Sequence, residues 1–109
     1  MLTNTANQKN MISRVKVDGN YLETYDKNGR KIKRAYCNDV FLGNSSEIVV
    51  VQDGSYLEVL NEDLKKVSRK YLKIDQFLGA SGETFSVQVG NYAETYDLKF
   101  KRISRNYSK

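Results

Sequence analysis

Asp75–Tyr107 reads DQFLGASGETFSVQVGNYAETYDLKFKRISRNY, and Asp39–Tyr71 reads DVFLGNSSEIVVVQDGSYLEVLNEDLKKVSRKY. Laid one on the other without a gap, the two stretches agree at Asp39, Phe41, Leu42, Gly43, Glu47, Val51, Gln52, Gly54, Tyr56, Glu58, Lys65, Ser68, Arg69 and Tyr71. Such agreement marks an internal repeat of about 36 residues, and a repeat governs the reading of the whole fold. A partial earlier copy, GNYLETYDKNGRKIKRAY from Gly19 to Tyr36, matches Gly54–Tyr71 at a spacing one residue shorter than that at which Ile12 and Val15 match Ile48 and Val51. The difference places a one-residue slip just before Gly19, as a turn or bulge would. The chain thus divides into a polar tail, 1–11, and one repeat domain, 12–109, with repeats at 12–38, 39–74 and 75–109.

Each full copy holds four short runs. In the last they are Asp75–Gly79, closed by Ala80-Ser81-Gly82, then Thr84–Val89, Tyr92–Asp97 and Lys101–Tyr107. Phe85, Val87 and Val89 alternate with polar residues, β-branched and aromatic residues are enriched, and Gly or Asn separates the runs, so each run is a predicted strand. Asp26-Lys27-Asn28-Gly29, Asp53-Gly54 and Gly90-Asn91 tolerate the positive φ of hairpin turns. The expected class is all-β, built from four-stranded antiparallel meanders.

The opening Phe-Leu-Gly and the recurring Gly-x-Tyr, Tyr-Asp and Lys-x-Ile-Ser elements resemble β-propeller blades over residues 12 to 107. The resemblance implies a first strand near a central axis, a fourth at the rim, and blades stacked face to face. Propellers have about 4–8 blades, whereas this chain offers three, and Asn4–Asn10 (NTANQKN) lacks the first copy's Phe-Leu-Gly strand. Two uncovered apolar blade faces are therefore expected, and with them a homo-oligomer, most simply a dimer closing a six-bladed ring. The competing architecture is a β-trefoil, whose repeats are longer.

Two constellations could carry function. Tyr21, Glu23 and Arg34 recur as Tyr56, Glu58, Arg69 and as Tyr92, Glu94, Arg105. With a four-residue turn, Tyr25 faces Arg30, Glu23 faces Ile32 and Tyr21 faces Arg34, so Glu and Arg sit diagonally. The set reads either as a cross-strand ladder sealing neighbouring blades or as a repeated site for a polar ligand such as a glycan. A basic stripe on the fourth strands, including Lys65, Lys66, Lys70, Lys101 and Arg102, reads either as edge protection or as a nucleic-acid-binding rim with Tyr36, Tyr71 and Tyr107 for stacking.

Composition narrows the classes. The 109 residues carry 18 Lys and Arg against 13 Asp and Glu, a formal charge of +5, with one Cys and no His. That surplus suits an acidic partner without requiring one. A lone Cys37 permits no intrachain disulfide and a reducing compartment is its simplest setting. No stretch has the length of a membrane span or a signal core, and a cytoplasmic protein is expected. Lacking His, a Gly-rich phosphate loop and metal-ligand spacing, the sequence points to a non-catalytic binding or scaffold module without cofactor or metal. Its partner would be a protein, a polar small molecule or glycan, or a nucleic acid.

Overall fold

The computed structural model describes residues 11–108, and there every predicted run forms a strand. Sheet I comprises β1 (Arg14–Asp18), β2 (Tyr21–Tyr25) and β3 (Lys31–Tyr36). Sheet II holds β4 (Val40–Asn44), β5 (Val49–Asp53), β6 (Tyr56–Leu60) and β7 (Lys66–Tyr71) in that order. Sheet III repeats it with β8 (Gln76–Ser81), β9 (Thr84–Val89), β10 (Tyr92–Asp97) and β11 (Arg102–Tyr107). All pairings within the sheets are antiparallel, and no helix occurs among the described residues. Asn4–Asn10 lies outside them.

The sheets stack because sheet II is apolar on both faces. Ile48, Val50, Leu57 and Val59 meet Phe85, Val87 and Tyr96 of sheet III, whereas Val49, Val51 and Leu60 meet Ile12 and Leu22 of sheet I. Each fully buried side chain of this size contributes about 1.5–3 kcal/mol, so these two seams hold the stack. Hydroxyls complete them: Thr24 donates to the Glu62 carbonyl (2.9 Å) and Ser68 to that of Leu98. At the turn between β4 and β5, Ile12 N–H donates to the Ser46 carbonyl and the Ser45 hydroxyl to that of Gly82, at 2.8 and 2.5 Å.

Pairing corrects three details of the sequence reading. Arg14 pairs with Tyr25 as Val49 pairs with Leu60, while Ser13 N–H also donates to the Tyr25 carbonyl at 2.7 Å. The extra residue is thus Ser13, earlier than the slip expected just before Gly19. Val15 then corresponds to Val50, and Lys16 to Val51. Secondly, Glu23 stands directly opposite Arg34 and Tyr21 opposite Tyr36. The turn closes on Asp26 and Arg30, and a bulge between Thr24 and Tyr25 adds one more step, which together shift the expected register by two. Thirdly, Ala80 and Ser81 belong to β8, paired with Phe85 and Thr84, so the turn shortens to Gly82-Glu83.

The two outer faces are polar, not apolar as expected. On sheet I, Arg14 and Lys16 occupy the positions that Val49 and Val51 fill in sheet II, and both are exposed. On sheet III, Ser86, Ala93 and Thr95 stand where sheet II buries Val50, Leu57 and Val59. Ser86 and Thr95 bond to each other at 2.7 Å.

Candidate binding surface

Each sheet carries the predicted Tyr–Glu–Arg set, and the structure brings its members together. In sheet I, Glu23 accepts hydrogen bonds from Tyr25 (2.5 Å) and Arg34, with Lys31 Nζ at 3.3 Å. In sheet II, Glu58 accepts from Arg69 at 2.7 Å and meets Lys66 Nζ at 3.3 Å. In sheet III, Glu94 accepts from Tyr96 at 2.5 Å and meets Arg105 and Arg102 at 3.2 and 3.6 Å. Period-two alternation puts these groups on one face, and direct cross-strand pairing places each carboxylate beneath its guanidinium.

The three Glu residues are buried, with 3–5% of their surface exposed. A carboxylate removed from water needs such partners, because an unpaired buried charge costs several kcal/mol. Tyr25 and Arg34, in that order, then Lys31, hold the Glu23 carboxyl down at about 2 against the opposing effect of burial. Burial, followed by the bond to Glu94, pushes the Tyr96 hydroxyl up to about 12. The Glu residues thus spend their acceptor capacity inside the sheets.

What reaches solvent is the other end of the ladder. Arg34, Arg69 and Arg105 lie over the rings of Tyr21, Tyr56 and Tyr92 at 4.2, 4.2 and 3.8 Å. Those rings in turn meet Tyr36, Tyr71 and Tyr107 edge to face, with centroids 5.5–5.8 Å apart. The outer three Tyr are 57–64% exposed. Because the sheets stack and each corner holds the same strand position, the corners recur along one end of the stack, where the chain crosses between sheets.

The predicted basic stripe divides. Lys66 and Arg102 bridge Glu58 and Glu94, whereas Lys65, Lys70 and Lys101 are exposed and make no ion pair among the described residues. The turn carboxylates bond locally: Asp26 Oδ1 accepts from the N–H of Asn28 and Arg30, and Asp97 Oδ1 from Lys99 and Lys101, each at 2.9 Å.

The sequence reading missed one cluster. Asp39, Asp53 and Glu58 bring carboxylate oxygens within 4.8 Å of one another beside a cleft of about 330 Å³ between sheets I and II. The pairing of Val40 with Gln52, set by the bulge at Leu42, brings Asp39 against Asp53, and no sequence signal marks that bulge. Burial first, then repulsion from Asp53 and Glu58, raises the Asp39 carboxyl. Arg69 reaches both other members, Asp53 at 3.5 Å and Glu58 at 2.7 Å, so guanidinium already supplies positive charge. Cys37 lines the same cleft, and burial raises its thiol, which disfavours the nucleophilic thiolate. No known protein family matches the chain, and no characterised protein is detectably similar to it in sequence.

Proposed function

We propose that this chain is a non-catalytic binding module, an open stack of three propeller-blade-like sheets that acts as a single chain and presents its tyrosine corners to an extended, ring-bearing ligand such as a glycan. The observation that carries the reading is the threefold recurrence of an exposed Tyr held edge-on to a second Tyr that is itself covered by Arg. Tyr offers an apolar ring and a hydroxyl at low conformational cost, which suits recognition of amphipathic units. Stacked sheets lie about 10 Å apart, so a ligand crossing the row would meet a regularly spaced set of such units. The test is a glycan array probed with the wild type and with a variant carrying Tyr36→Ala, Tyr71→Ala and Tyr107→Ala. Binding should be lost in the folded variant; unchanged binding, or an array with no wild-type ligand, would count against the reading.

A second reading is nucleic-acid binding through Lys65, Lys70 and Lys101, favoured by the absence of ion pairs at these cations among the described residues and a net charge of +5. It requires oligothymidine affinity that falls steeply with salt and is lost on reversing the three charges. Closure of two chains into a ring is carried by a different observation. Thr95 and Ser104 of sheet III correspond to Val59 and Ser68, and Ser68 donates across a seam, so a second chain could accept the equivalent bond. Particle mass separates this from the single-chain reading.

A further inference from the structure

Sheets II and III each begin with a first edge strand, β4 or β8, that sheet I lacks among the described residues. Among the described residues β1 pairs with β2 alone, and no described strand engages the backbone N–H and C=O groups of its other edge. Edge strands of this kind accept an added strand unless charge or shape prevents it. We propose that the open edge of β1 is a docking site for an extended acidic peptide segment of a partner, which completes sheet I by strand addition.

Sheets II and III supply the template. In sheet II, Val40, Phe41, Gly43 and Asn44 stand opposite Gln52, Val51, Val50 and Val49, with Leu42 bulged out; β8 lies on β9 with a bulge at the same place. Carried to sheet I, the four partner positions fall opposite Val17, Lys16, Val15 and Arg14. Two of the residues there differ from the template in charge: Val51 and Val49 are replaced by Lys16 and Arg14, both exposed. A strand with Phe opposite Lys16 gains little, whereas one with carboxylates opposite Lys16 and Arg14 gains two cross-strand charge pairs.

Shape adds a second requirement. A Cβ on Gly43 would come within 2.5 Å of Phe77 Cε2, so the strand of sheet II is held to glycine there by the aromatic ring of the next sheet. Phe41 is the counterpart of Phe77, and the position opposite Val15 is the counterpart of Gly43. The docking segment therefore needs glycine opposite Val15. Val17, 53% exposed, asks for an apolar residue across from it. The site is separate from the tyrosine corners and does not depend on them.

The experiment uses the full chain and a synthetic peptide with Val-Glu-Leu-Gly-Asp at its centre. Binding is followed by titration calorimetry, and its location by amide hydrogen exchange. The peptide should bind and slow exchange at those Arg14–Asp18 amides that β2 does not engage. Replacing its Glu by Lys should weaken binding about fivefold and its Gly by Val about tenfold. The Lys16→Glu chain should prefer the Lys peptide. Equal binding of a scrambled peptide, absence of binding, no exchange of preference in Lys16→Glu, or slow exchange of all these amides in the free chain would each overturn the proposal. In the last case the chain itself would already fill the edge.

Discussion

The buried carboxylates show how one residue couples packing to pH. Glu23 is ionised in the folded chain at a value near 2, below the unfolded value of about 4.3 for glutamate. A depressed carboxyl contributes stability that is complete above the unfolded value and is lost as pH falls through the folded one, here between about pH 5 and 2. Glu23→Gln is expected to flatten that part of the stability profile measured by urea unfolding at successive pH values; a slope unchanged from wild type would contradict the assignment. Tyr96 runs the other way. Its raised value of about 12 means that its contribution is complete below about pH 10 and disappears as pH climbs through 12. The bond to Glu23 raises Tyr25 as well, so ultraviolet titration should show a late tyrosine step that Tyr96→Phe reduces. The Tyr, Glu and Arg members were legible in the sequence because repetition and parity put them on one face. Their partners were not, since a bulge in each sheet moves the opposite strand by a residue that no local sequence signal marks.

At the scale of elements, the strands were readable and the turns only in part. Gly29, Leu64 and Phe100 occupy one turn position with φ of 81, 61 and 63°. Asn28-Gly29 announces such a turn, whereas Leu64 and Phe100 conceal it, because a left-handed non-glycine residue costs about 1–2 kcal/mol. Packing offsets that cost: Leu64 joins the seam with sheet I, and Phe100 lies edge to face with Phe85 at 5.4 Å. Glycine serves in the first copy, where no preceding sheet among the described residues could receive a side chain. Phe100→Gly should therefore destabilise the fold by about 2 kcal/mol despite relieving the backbone, because the lost burial outweighs the strain. Gly29→Ala should cost about 1 kcal/mol from backbone conformation alone. Thermal or urea unfolding checks both, and a stabilised Phe100→Gly would show that strain dominates. Gly43→Ala, which drives a methyl into the Phe77 ring, should cost about 1–3 kcal/mol by the same measurement.

At the scale of the molecule, the sequence revealed three units and misled about their ends. The expectation of two bare apolar faces followed from treating the three copies as equivalent blades of an unclosed ring. With the extra residue at Ser13, Arg14 and Lys16 turn outward at one end. Ser86, Ala93 and Thr95 do so at the other. Terminal repeats of stacked arrays need polar outer faces of this kind, and the described end positions are consistent with the single-chain stack proposed above. Restoring the interior pattern with Ser86→Val, Ala93→Leu and Thr95→Val should make the chain self-associate. The most direct measurement is the mass of the wild-type particle in solution by light scattering over a range of concentrations. A single chain of 12.5 kDa at every concentration is the predicted result. A stable particle of about twice that mass would contradict the capped stack and favour the closed ring.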